Sequence, residues 1–299
     1  MKPWEIFLEK YRAFGQQPTR EGHAALFAPD AAIFHPGMAE PMPAGQYVDF
    51  IAEGLKQLPD FHLIPVHWAV NGDAIFVEAR NTAVVNGKPI EWPATYVVTL
   101  RGELVARARA YYDRTEVLMH FESSLASTRS NAHVTLLEGA TPNGASPADS
   151  DAYAAEVYER IVAPYAANGK DPDPAKFQQF YAPDARMINP GFERPLRREE
   201  LPGYYTALKS QIRDLQLRME RWAVAPGLLF IEWTVTGEIA GKHLVLPNTD
   251  RFTLRDMLAT EGVAYFDDLA LRALLDPSLA RFADVSFGNV STSSAERSR

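Results

Sequence analysis

Phe27-Ala28-Pro29-Asp30-Ala31 returns as Tyr181-Ala182-Pro183-Asp184-Ala185, 154 residues further along the chain. The same shift, without a gap, carries Tyr11 onto Tyr165, Pro36-Gly37 onto Pro190-Gly191, Pro41 onto Pro195 and Trp68-Ala69-Val70 onto Trp222-Ala223-Val224. Beyond these it carries Gly87-Lys88 onto Gly241-Lys242, Pro93 onto Pro247, Thr99-Leu100-Arg101 onto Thr253-Leu254-Arg255, and Ala110-Tyr111-Tyr112-Asp113 onto Ala264-Tyr265-Phe266-Asp267. One register held over roughly a hundred residues marks a tandem duplication. A chain of 299 residues has room for two ordinary domains. The expected division is copy one over 1–120, a linker over 121–150, copy two over 151–287 and a disordered tail over 288–299. Ser, Ala, Asn, Gly and Pro dominate the linker, where Val134, Leu136 and Leu137 leave room for one short strand.

Within a copy, the periodicity changes once. Trp4, Phe7, Leu8 and Tyr11 fall at i, i+3, i+4 and i+7 behind Pro3, the stripe of an amphipathic helix, and Ala154, Val157, Tyr158, Ile161 and Tyr165 repeat it. A short helix is expected over about Thr19 to Phe27. Pro29-Asp30 then turns the chain into a strand, Ala31 to His35, which Pro36-Gly37 ends. A third helix follows from Gly45. After Leu58 the pattern becomes β-rich: Phe61 to Val70, Ala74 to Val85, Glu91 to Leu100 and Leu104 to Asp113. Asn71-Gly72-Asp73, Asn86-Gly87-Lys88 and Arg101-Gly102-Glu103 supply tight turns between them. The order α-α-β-α-β-β-β-β describes an α+β protein of two repeated cone-shaped domains, each a curved antiparallel sheet wrapped around three helices.

Composition removes several function classes. With no cysteine there is no disulfide, thiolate nucleophile or sulfur-ligated metal. The seven histidines form no HxH, HxxxH or HExxH, and no metal site is expected. A formal charge of −8 without a basic cluster argues against nucleic acid. Arg194, Arg197 and Arg198 lie beside Glu193, Glu199 and Glu200 and read as a solvated helix start. No apolar run is long enough to cross a bilayer, and Met1 to Tyr11 lacks a secretory apolar block. The chain is therefore expected to be cytoplasmic and away from membranes. GxGxxG, GxxxxGK[ST] and GxSxG are all missing, so no cofactor is expected.

The element order, the Ala-Pro-Asp-Ala followed by x-x-His/Asn-Pro-Gly, and the closing Ala-Tyr-Tyr/Phe-Asp together resemble the SnoaL-like group of the nuclear transport factor 2 superfamily. That group includes ketosteroid isomerase, polyketide cyclases, limonene epoxide hydrolase and members that only bind. The resemblance to ketosteroid isomerase implies a general base at the strand end before the proline and an oxyanion-binding tyrosine 24 residues earlier. His35 and Asn189 occupy the first position, Tyr11 and Tyr165 the second. Histidine suits a base at neutral pH and asparagine does not. Asp113 and Asp267 stand where cyclases and the epoxide hydrolase place a carboxylate deep in the cone; the competing reading is that both cap helices, Asp267 before Asp268 to Leu275 and Asp113 with Glu116. The epoxide hydrolase pattern also calls for an Arg and an Asp two apart. Arg80 with Thr82 and Thr234 with Thr236 lack the Asp, and Thr99 and Thr253 replace the histidine that the cyclase pattern places 14 residues before the last Asp.

Polar residues that differ between the copies point to unequal pockets: Tyr96 matches Asp250, Glu91 matches Val245, Pro89 matches His243 and Arg80 matches Thr234. Alternation puts Ala94 with Tyr96, and Asn248 with Asp250, on one strand face; Asp250 is read either as a pocket residue or as an exposed partner of Arg251. Arg80, Trp92, Tyr96, Trp233 and Asp250 complete the expected substrate contacts. The leading expectation is a cofactor-independent isomerase or aldol-type cyclase that moves protons next to a carbonyl of a small apolar molecule. A non-catalytic binder of a hydrophobic ligand and an epoxide hydrolase are the alternatives. The two copies are expected to form an intramolecular pseudo-dimer through their sheets, one copy serving as a structural partner in a third reading, and further self-association stays open.

Overall fold

The structure, a computed structural model, describes residues 1–126 and 151–286. The strand expected near Val134 to Leu137 and the tail 288–299 lie outside the described residues. Copy one runs α1 (Pro3–Gln16), α2 (Arg20–Ala24), β1 (Phe27–Phe34), β2 (Met42–Pro43), α3 (Ala44–Leu55), then β3 (His62–Asn71), β4 (Ala74–Val85), β5 (Lys88–Arg101) and β6 (Leu104–Tyr111). Two short helices follow, α4 (Thr115–Leu118) and α5 (Ser123–Ala126). Copy two repeats the plan with α6 (Asp151–Val157), α7 (Ala163–Gly169), α8 (Pro174–Gln179), β7 (Tyr181–Ile188), β8 (Leu196–Arg197), α9 (Leu201–Gln211), β9 (Ile212–Ala225), β10 (Leu228–Ile239), β11 (Lys242–Arg255), β12 (Leu258–Tyr265) and α10 (Asp268–Leu275). A mixed α+β architecture with a large curved sheet and two domains is thus as expected.

Two details differ from the sequence reading. β1 starts at Phe27, so Pro29-Asp30 lies inside the strand and does not turn the chain into it. The register between β1 and β6 jumps between Phe27↔Val105 and Ala32↔Arg107, so Pro29 sits in a bulge where no ladder bond needs its missing N–H. The second helix is also shorter, ending at Ala24.

Helix and sheet meet at one demanding point per copy. A Cβ on Gly15 would stand 2.0 Å from the Leu63 carbonyl oxygen, and one on Gly169 would stand 2.5 Å from that of Leu217. Glycine at both positions lets the first helix lie directly on the first long strand, and the repeat preserves it. In copy two that helix is interrupted by a π turn over Tyr158–Val162. Pro164 has no N–H to offer the Arg160 carbonyl, and the Ala163 N–H reaches five residues back to Tyr158.

Strand order across the molecule is β2-β1-β6-β5-β4-β3-β9-β10-β11-β12-β7-β8, which reads the same from either end once the repeat is applied. The joint is narrow, the pair Val70↔Val224 with Asn71 Nδ2 donating to the Trp222 carbonyl at 3.0 Å. A wider contact lies on the outer sheet faces, where Ala69, Phe76, Val97 and Tyr111 bury against Ala223, Phe230, Val263 and Tyr265, and the Phe76 and Phe230 rings stack at 5.8 Å. Polar groups cross the same contact twice in related fashion: the Tyr265 hydroxyl donates to Glu78 and the Tyr111 hydroxyl to Glu232. Each concave face, turned toward its own helices, is left to enclose a cavity.

Candidate active site

The cone of copy two encloses a cavity of about 90 Å³, and that of copy one a cavity of about 70 Å³. With similar volumes, their chemistry separates them. In copy two, Leu244, Leu246, Asn248, Asp250 and Phe252 all line the cavity, so every second residue of β11 faces inward. Asp250 is the carboxylate among these lining residues. Its Oδ2 accepts from Trp233 Nε1 at 2.8 Å and its Oδ1 from Asn248 Nδ2 at 3.3 Å. Burial raises its pKa to about 7, against the pull of those two hydrogen bonds. Trp233 is fully buried and reaches Asp250 from outside the lining of the cavity.

Tyrosines face this carboxyl. Tyr165 comes from α7, Tyr181 from β7, and Tyr204 and Tyr205 from α9. The hydroxyls of Tyr165, Tyr181 and Tyr205 hydrogen-bond among themselves. Burial pushes all three well above the usual phenol range, with Asp250 adding to it, and Tyr204 is raised to about 12. All four therefore remain O–H donors across the neutral range. Asn189 Nδ2 donates to the Tyr204 oxygen at 2.8 Å, which leaves the Tyr204 hydrogen to point elsewhere. Asn248 Oδ1 is a buried acceptor without a partner among the described residues.

Copy one brings Tyr11, His35, Trp92 and Tyr96 to its cavity. His35 donates from Nδ1 to the Pro36 carbonyl at 3.1 Å and accepts at Nε2 from the Tyr112 hydroxyl at 3.3 Å. Burial, with Arg114 adding to it, lowers its pKa to about 4, so it is neutral at pH 7 and a weak base. Tyr96, which replaces Asp250, donates to Asn81 Oδ1 at 3.2 Å. No carboxylate lines this cavity among the described residues.

Four residues expected at a site lie outside both cavities: Asp113, Asp267, Arg80 and Trp233, the last held off the lining by its bond to Asp250. Asp113 Oδ1 accepts from the Thr115 N–H at 3.0 Å just ahead of α4, whose N-cap position is Arg114. Asp267 occupies the N-cap position of α10 without a cap bond; its Oδ2 instead pairs with Arg114 Nε of copy one at 2.8 Å. Both strands end at the contact between copies, which turns these carboxylates away from the cones. Arg80 faces Glu91 at 3.3 Å over a shallow surface depression. Asp250 pairs with Trp233 and Asn248 and not with Arg251, which lies on the opposite strand face and binds Glu78 of copy one.

Tyr181, Tyr204 and Tyr205 were not singled out from the sequence. Their counterparts are Phe27, Phe50 and Ile51, so copy two gains three hydroxyls where copy one is apolar. The comparison between copies that marked Asp250 would have found them as well.

The SnoaL-like domain family matches residues 8–108 and 158–262, together more than half of the chain. Among solved structures, a hypothetical protein with a ketosteroid isomerase-like fold from Catenulispora acidiphila, in complex with trimethylamine, is 19% identical, covering 36% of this chain and 85% of that one with a TM-score of 0.34. A putative SnoaL-like polyketide cyclase from Jannaschia sp. is 18% identical, covering 40% of this chain and 90% of that one with a TM-score of 0.36. An NTF2-like protein of unknown function from Burkholderia pseudomallei is 20% identical, covering 40% and 97% with a TM-score of 0.37. Each match spans about the length of one copy. No curated protein matches the chain. No described helix is long and apolar enough to cross a membrane, and no group of metal-ligating side chains occurs among the described residues.

Proposed function

We propose, for a chain that belongs to the SnoaL-like domain family in both of its halves, that copy two moves a proton next to a carbonyl of a small apolar substrate and that Asp250 carries it. The observation behind this reading is one carboxyl, raised to about 7, inside a cavity walled by tyrosine hydroxyls. A group with that pKa takes and returns protons at neutral pH. Ionised Asp250 removes a proton from the carbon beside the carbonyl, and the electron pair moves onto the carbonyl oxygen. Tyr165, Tyr181 or Tyr205 donates to that oxygen as charge develops. Protonated Asp250 then returns the proton to a different carbon, which is isomerisation, or the enolate carbon attacks a second carbonyl, whose π electrons move onto its oxygen, and Asp250 gives its proton to that alkoxide, which is an aldol-type closure. Trp233 and Asn248 hold the carboxylate in place, and Asn248 Oδ1 accepts from a substrate hydroxyl.

Copy one supports a different role. A neutral histidine with both nitrogens occupied, and no lining carboxylate among the described residues, favour binding an apolar molecule without turnover. Conversion of β,γ-unsaturated cyclic ketones, beginning with cyclohex-3-enone, to the conjugated isomers is followed by ultraviolet absorbance. Turnover by the native protein and its loss by about 10²–10⁴-fold in Asp250→Asn are expected. If His35→Gln abolishes turnover while Asp250→Asn retains it, the assignment to copy two is wrong. If no such ketone is turned over, binding without catalysis becomes the better account.

A further inference from the structure

The contact between the outer sheet faces has two flanks, and they differ. On one flank Arg251 fills the seam, its guanidinium donating to Glu78 at 3.0 Å, Thr253 at 2.8 Å and Glu261 at 2.7 Å. On the other flank the position related by the repeat is Val97, and among the described residues the seam forms a groove of about 950 Å³ walled by both copies. That volume lies within the range of about 300–1,000 Å³ usual for small-molecule sites.

Arg107 and Arg109 of β6 line the groove, their guanidinium carbons 5.1 Å and 4.2 Å from the centre of the Phe34 ring. Stacking on an aromatic face leaves the edge of a guanidinium, with its paired N–H donors, available to an anion. The other cations of the groove already have acids: Arg114 has Asp267, Arg218 has Glu220 and Arg221 has Glu232. Neither Arg107 nor Arg109 has a carboxylate partner among the described residues, and Arg114 keeps a buried Nη2 with no partner. The copy-two wall contributes apolar surface, with Val245 55% exposed next to Pro247.

From this arrangement we infer that the groove is a second binding site, on the outer sheet faces, for a small organic anion: a carboxylate held by Arg107 and Arg109 on a flat apolar body lying against Val245 and Pro247; His35, Arg109 and Ala110 border both this groove and the copy-one cavity. Charge selects one end of the ligand and the apolar wall the other.

The test is titration calorimetry of the full chain with naphthalene-1-carboxylate, and with naphthalene-1-carboxamide as the uncharged match. The carboxylate binds, the amide binds about tenfold more weakly or worse, and added salt weakens the carboxylate alone. Arg107→Gln combined with Arg109→Gln removes the preference for the carboxylate, whereas Lys88→Gln with Lys170→Gln, an equal loss of charge elsewhere, keeps it. Arg107→Lys with Arg109→Lys guards against a folding defect: it retains charge without the paired donors and binds with intermediate affinity. Equal binding of acid and amide, carboxylate binding indifferent to the glutamine pair, or no binding of the carboxylate would each overturn the inference.

Discussion

Asp250 titrates where its neighbours do not, and this has consequences for stability as well as for turnover. Its pKa is raised in the folded chain, so between about pH 4 and 7 the unfolded chain gives up a proton that the folded chain keeps. Stability is therefore full below this window, declines as pH rises through it, and levels off above about 7. Asp250→Asn removes the decline. Its amide still accepts from Trp233 and can donate to the unpartnered Asn248 Oδ1. Urea unfolding should show the variant more stable than the native protein by roughly 2–4 kcal/mol at about pH 8, with a much smaller difference at about pH 4. If Asp250 is the base, kcat/KM rises with an apparent pKa near 7, which a pH–rate profile checks. Alternation alone showed that Asn248 and Asp250 share one face of β11, but not that this face turns inward. The charge state was not, because it depends on Trp233 from the neighbouring strand and on how completely the tyrosines exclude water.

The first helix of each copy shows what a repeat enforces on an element. Gly15→Ala must push the Leu63 backbone aside, and Gly169→Ala that of Leu217 with slightly more room. Losses of about 2–4 kcal/mol are expected, larger at Gly15, measured by denaturant midpoint. Gly45→Ala in α3 meets nothing within 4 Å and serves as the control, neutral or stabilising by up to about 1 kcal/mol. Helix stripes and hairpin turns were readable because they depend on residues close in sequence, whereas β1 and β5 run longer than expected. The bulge at Pro29-Asp30 was misread as a turn because proline signals only that a ladder bond is missing. Whether that ends a strand or bends it is decided by the partner, β6, nearly eighty residues away. Asp113 and Asp267 were ambiguous for the same kind of reason. Their strand ends could be found in the sequence, but the surface on which those ends abut belongs to the other copy.

At the scale of the molecule, the contact between copies combines apolar stacking with buried charge. Phe76→Ala and Phe230→Ala should each cost about 3–5 kcal/mol, and a double-mutant cycle should return a coupling of about 0.5–1.5 kcal/mol, since the two rings stack. Glu78 is more demanding. Burial alone would raise its carboxyl, but Arg251, His67 and Tyr265 outweigh that and hold it at about 2. Glu78→Ala leaves Arg251 buried beside Glu261 alone, and a loss of about 3–5 kcal/mol is expected by thermal or chemical unfolding. The two related glutamates are satisfied differently: Glu78 binds His67 and Arg251, whereas Glu232 binds Arg221, the counterpart of His67, and has Val97 where an arginine would stand. In an association of two identical chains, any codon change falls on both sides of the axis, and each gain on one flank is duplicated on the other. Joining both halves in one reading frame lifts that obligation. A change confined to one half can close one seam and leave its mirror image open, or acidify one cone and leave the other neutral, so the chain carries two heritable addresses for what would otherwise be one position.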